Sequence, residues 1–83
     1  MKEGLVTGAV WATKKAPGLT GQILLKVQMD SGSIIAADLV GAGTGDRVIV
    51  TMGNAARMAQ PDVPMDAAIV GILDMQEEHH VSQ

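Results

Sequence analysis

Gln22-Ile23-Leu24-Leu25-Lys26-Val27-Gln28-Met29-Asp30-Ser31-Gly32-Ser33-Ile34-Ile35-Ala36-Ala37-Asp38-Leu39 is the stretch from which the fold is read. In its first half Ile23, Leu25, Val27 and Met29 alternate with Gln22, Leu24, Lys26 and Gln28. Apolar side chains at every second residue mark a half-buried strand, predicted over 22–30. Asp30-Ser31-Gly32-Ser33 is a tight turn, so Ile34 to Leu39 comes back as an antiparallel partner. The chain is therefore read as β from its centre outward.

Working outward from this hairpin, glycine and proline divide the sequence into short segments. Leu5 to Thr13 is a first strand, and Lys14-Lys15-Ala16-Pro17-Gly18 turns it towards the hairpin. On the far side Gly41-Ala42-Gly43-Thr44-Gly45 is a glycine-rich connection. Asp46 to Met52 follows as a strand with Val48 and Val50 on one face. Asn54 then caps one or two turns of helix built from Ala55 to Gln60, which Pro61 ends. After the loop Asp62-Val63-Pro64, Ala67 to Leu73 is a strand apolar enough to be covered on both faces. The result is an all-β fold, a small five-stranded OB-like β-barrel with one short helix. Residues 1–75 form a single barrel domain, and 76–83 form a polar C-terminal tail.

Composition limits the functional classes. An 83-residue chain buries only roughly 60% of its unfolded surface, so small domains usually lean on disulfides, metals or self-association. There is no cysteine, which removes disulfides and thiolate metal cages. Hydrophobic residues make up 47% of the chain and charged ones 18%, a balance that points to surface hidden against further copies. Net charge is −3 and Trp11 is the lone aromatic residue, so the basic groove and stacking platforms of a nucleic-acid binder are both missing. No apolar run is long enough to span a membrane, and Glu3 with Lys14-Lys15 breaks the pattern of a signal peptide.

The search for chemistry yields little. Ser31, Ser33 and Ser82 lie in a turn and the tail, and His79 and His80 are adjacent tail residues, so no nucleophile and base can be assembled. Asp38, Asp66 and Asp74 are scattered near strand ends, where turn and cap roles are the ordinary ones. No catalytic, cofactor-binding or metal residue is assigned, and an enzyme is not expected. The sharpest local feature is Gly41 to Gly45. Such a loop can cradle a phosphate on its backbone N–H groups, which would make the chain a small-molecule or nucleotide-binding regulatory module. Here, however, the spacing is Gly-x-Gly-x-Gly and a strand follows instead of a helix, so a tight corner is the stronger interpretation. Trp11 is expected in the barrel or in a subunit contact, and the six methionines as filler. Arg57 is either an intersubunit anchor or a solvated surface residue.

Ala36-Ala37-Asp38-Leu39-Val40-Gly41-Ala42-Gly43-Thr44-Gly45-Asp46-Arg47-Val48-Ile49-Val50, followed by Gly53-Asn54-Ala55-Ala56-Arg57, resembles the bacterial microcompartment vertex proteins. These are the pentameric shell proteins of carboxysomes and of ethanolamine- and propanediol-utilising compartments. Val6 to Val10, Gly21 to Val27 and Pro64 to Asp74 are similar to further strands of that family, so the resemblance runs over roughly residues 2–75. Trp11, the short turn at Asp30 to Ser33 and the short tail depart from many relatives.

The resemblance implies a homopentamer that caps the icosahedral vertices of a microcompartment shell in the bacterial cytoplasm. It also implies hexameric shell proteins as neighbours. On that basis Gly41, Ala42, Gly43, Thr44, Gly45, Asn54 and Arg57 are the candidate subunit-interface or pore-loop residues. The ring would use a head-to-tail interface that closes on itself.

Overall fold

The computed structural model describes residues 1–11, 14–59 and 65–74. The chain runs β1 (Lys2–Val10), a single 3-10 turn at Pro17–Leu19, β2 (Leu24–Met29), β3 (Gly32–Asp38), β4 (Arg47–Met52), α1 (Asn54–Ala59) and β5 (Ala67–Ile72). The strands close into a barrel in the order β1-β2-β3-β5-β4. Four of the pairings are antiparallel. The fifth, β3 with β5, is parallel and joins only Ala37 to Ala68 and Asp38 to Ile69.

The hairpin that decides the fold forms as its pattern dictates. Leu24 pairs with Ala37 and the ladder continues to Met29 opposite Gly32, leaving Asp30 and Ser31 as the connection. Leu25, Val27 and Met29 point into the barrel, where they meet Val6, Ala36, Val48, Val50, Ala67 and Ile69 in one apolar core. Val27, Val48, Val50 and Ile69 are wholly buried. Side chains of this size each contribute about 1.5–3 kcal/mol when removed from water.

A second buried layer lies outside the wall. Leu24, Ala37, Ala68 and Thr51 are register neighbours across four strands. The pleat turns them away from the core, yet all four are buried. Helix α1 packs on β4 and β5, and its Ala56 is buried. The expected two-faced burial of Ala67 to Leu73 holds only for its start: Ala67 to Ile69 are buried, whereas Val70 and Gly71 are half-buried and Ile72 is exposed.

Some boundaries differ from the sequence expectation. The first strand begins at Lys2 rather than Leu5, because Lys2 to Leu5 pair with Val50 to Arg47 and close the barrel. That strand ends at Val10, opposite Leu24. Trp11 therefore lies past the last pair and is 91% exposed, outside the barrel interior that was one of its two expected places. Ile23 is exposed as well, because β2 starts at Leu24, two residues later than expected. The expected strand end at Thr13, the Pro61 helix stop, the 62–64 loop and the 76–83 tail with His79 and His80 lie outside the described residues.

Candidate functional site

The glycine loop solves a problem of connection. The chain leaves β3 at Asp38, beside Ile69 of β5, and must start β4 at Arg47, beside Leu5 of β1. Leu39 still donates its N–H to the Ile69 carbonyl at 3.2 Å. Beyond it the β3–β5 ladder is finished and the loop must be held by other means.

Two carboxylates hold it. Oδ1 of Asp38 accepts hydrogen bonds from three successive backbone N–H groups, those of Val40 (3.1 Å), Gly41 (3.0 Å) and Ala42 (3.1 Å). Oδ2 of Asp46 accepts from the N–H of Gly43 at 2.9 Å. At its far end the loop is tied to β1: Val6 donates to the Asp46 carbonyl and accepts from the Gly45 N–H, both at 2.9 Å. Gly41 and Gly45 adopt φ of +80° and +94°, a region in which a side chain would crowd the backbone. Between them Ala42 turns inward against the core, while Val40, just ahead of Gly41, stays exposed.

Successive N–H groups converging on one point make an anion-binding concavity. Here its anion is the chain's own Asp38 carboxylate. The N–H groups of residues 40 to 43 are therefore taken, and a bound phosphate would have to displace two carboxylates of its own charge sign. The corner interpretation of this loop holds and the phosphate cradle does not.

The remaining candidates stand on another element. Asn54 opens α1 and Arg57 lies along it, and α1 packs on β4 and β5. The loop and the helix share β5 as a support, the loop through Leu39 and Ile69. Asp38 and Asp46 were not among the expected site residues, although the spacing carries a signal. An Asp two to four residues ahead of a glycine-rich corner can turn its carboxylate back onto the following N–H groups.

Elsewhere the surface is polar and mixed. Nε of Arg47 donates to Oε2 of Glu3 at 2.9 Å, both side chains about half exposed. They border an open groove of about 690 Å³ that also meets Lys2, Gln28, Asp30 and Ser31. Its two cationic and two anionic side chains do not favour one charge of ligand. Among the described residues no three His, Cys, Asp or Glu side chains converge as a metal site, and no buried side-chain polar atom lacks a partner. No described helix is long and apolar enough to cross a membrane. Exposed apolar side chains are frequent by contrast, with Leu5, Ile23, Ile35, Val40, Met52, Met58 and Ile72 joining Trp11. The arrangement offers shape and apolar surface rather than reacting groups.

Comparison with known proteins fits that character. Residues 1–74 match the family described as ethanolamine utilisation protein EutN/carboxysome. The bacterial microcompartment shell vertex protein PduN of Salmonella typhimurium is 40% identical over 82 residues, covering 83% of this chain and 90% of the relative. The carboxysome shell vertex protein CcmL of a Synechocystis species is 42% identical over 83 residues, covering 89% of this chain and 83% of the relative. Among solved structures, the GrpN pentameric microcompartment shell protein from Rhodospirillum rubrum superposes with a TM-score of 0.81 at 39% identity, covering 90% of this chain and 95% of that one. By the family match over residues 1–74, the barrel and these identities, the chain belongs to the EutN/carboxysome family of microcompartment shell vertex proteins.

Proposed function

We propose that this protein works as a homopentamer at the vertices of a bacterial microcompartment shell, where its role is structural rather than catalytic. The observation that carries the reading is the likeness over most of the chain to vertex proteins, one of them a pentamer in its solved structure. Physical chemistry supports it. A barrel this small leaves large apolar side chains in water on several sides of the separated protomer. A fivefold ring joins two different faces of each copy, so apolar surface on more than one side is what it needs.

In this reading the ring contact runs through the loop Gly41–Gly45 and through α1 with Asn54 and Arg57. Hexameric shell proteins surround the ring, and its place is the shell of a compartment within the bacterial cytoplasm. The loop meets its neighbour by shape, since four of its five residues are glycine or alanine.

Native mass spectrometry of the purified chain tests the reading. A closed ring gives about 43 kDa, five times the 8.6 kDa of one chain. A persistent 8.6 kDa species at tens of micromolar would overturn it. Co-purification of the ring with hexameric shell proteins, and its loss on substituting Arg57, tests the finer placement.

A further inference from the structure

We propose that Asp38 is the positioning residue for assembly: its carboxylate moulds the glycine loop into the one shape that the next copy of this chain recognises. The inference rests on the ring reading above and adds to it a residue that acts through the loop it holds.

Three observations converge on Asp38. Its backbone sits in the short parallel pairing, opposite Ile69 of β5. Its N–H donates to the carbonyl of Ile23 at 2.9 Å, which fastens the approach to β2. Its Oδ1 accepts from Val40, Gly41 and Ala42 at 3.0–3.1 Å. One residue thus joins the segment entering β2, β5 and the loop at the point where the β3–β5 ladder stops.

The loop cannot supply its own rigidity. Gly41, Gly43, Thr44 and Gly45 are exposed, and only Ala42 reaches the core. Glycine carries more backbone freedom than any other residue. A free loop of this composition would have to be ordered at the moment of docking, which weakens association. The Asp38 carboxylate orders it beforehand. Hydrogen bonds to an ionised acceptor are the stronger kind, and three on one oxygen leave Val40 out and Ala42 in. The partner is a second copy of this chain, because the loop is too poor in polar side chains to select a charged ligand and the N–H groups of residues 40 to 43 and of Gly45 are spent.

The test compares wild type, Asp38→Asn and Asp38→Ala by native mass over a dilution series and by hydrogen exchange of individual amides. In Asp38→Ala the amides of residues 40–42 lose protection while those of Val27 and Val50 keep it. The concentration at which the ring half-dissociates rises about tenfold or more. Asp38→Asn, which keeps an acceptor oxygen without the charge, falls between the two. An Asp38 with a merely structural role would lower the melting temperature and leave the dissociation midpoint unmoved, and that result overturns the proposal. Should Asp38→Ala fail to fold, Asp38→Asn decides: lost protection at 40–42 with a wild-type midpoint overturns it equally. A wild-type chain that never forms a ring removes the vertex reading itself, before any variant is compared.

Discussion

Gly4 of β1 and Val27 of the adjacent strand β2 approach so closely that no side chain fits at position 4. A methyl group built there overlaps Cγ1 of Val27, stands 2.7 Å from Sδ of Met29 and lies 3.1 Å from the Gln28 carbonyl oxygen. Val27 is wholly buried and cannot swing away. Gly4→Ala is expected to destabilise the protein by about 1–3 kcal/mol, the ordinary range for overpacking a core. Denaturant unfolding measures it. Adding Val27→Ala should recover part of the loss, so that the double variant is more stable than the two single effects summed. A single variant as stable as wild type would show that β1 can shift away from β2 at no cost.

The Glu3–Arg47 ion pair should matter little, despite its 2.9 Å geometry. Both side chains are about half exposed, and exposed pairs are worth roughly 0–1 kcal/mol after screening and side-chain ordering. Nor are they directly opposed: Glu3 faces Ile49 and Arg47 faces Leu5 in the ladder, so the side chains meet diagonally. Glu3→Gln is expected to change unfolding free energy by less than about 0.5 kcal/mol, and by less again in high salt. A loss above about 1.5 kcal/mol would mean that the pair is desolvated in the assembled protein.

Five strands and one short helix are legible in the sequence because each carries its own local signal. Leu25, Val27 and Met29 alternate, Val48 and Val50 share a face, and glycine or proline stands between the segments. The family is legible from the run Ala36 to Arg57. The closing of the barrel is not, since the pairing of Lys2 to Leu5 with Arg47 to Val50 joins segments over forty residues apart and Lys2-Glu3-Gly4 has no strand-like composition. Of the two places expected for Trp11, the barrel is ruled out for a similar reason. Its apolar neighbours suggest burial, but the ladder stops one residue earlier. In the candidate site the glycines are visible at once, whereas the carboxylates that organise them look like ordinary turn residues. Asp38 differs from Asp66 in sequence by the glycine-rich corner that follows it, but that its one oxygen gathers three N–H groups is visible only in three dimensions.

The glycine loop should not bind phosphate. With the N–H groups of residues 40 to 43 already donated to Asp38 and Asp46, an added anion finds like charge instead of donors. Inorganic phosphate at 10 mM, or a nucleotide at 1 mM, is expected to leave the melting temperature unchanged beyond the effect of ionic strength. A ligand present at 100 times its dissociation constant would stabilise the fold by about 2.7 kcal/mol, a clear shift for a domain of this size. Such a shift, abolished by Gly43→Ala, would restore the binding-module alternative.

Trp11 offers a separate view of assembly, because it is the only aromatic residue and its fluorescence is unmixed. At 91% exposure in the separated protomer it lends almost nothing to the barrel. Trp11→Ala should therefore alter protomer stability by less than about 0.5 kcal/mol, as surface substitutions usually do. Its value lies in contact with another copy. A large amphipathic ring in water is the kind of side chain that anchors interfaces, where truncation commonly costs about 2 kcal/mol or more. Emission is expected to move to shorter wavelength as the ring forms, with acrylamide quenching falling in parallel, and Trp11→Ala should raise the half-dissociation concentration about thirtyfold. Unchanged emission and an unchanged midpoint would place Trp11 on a face of the ring open to solvent.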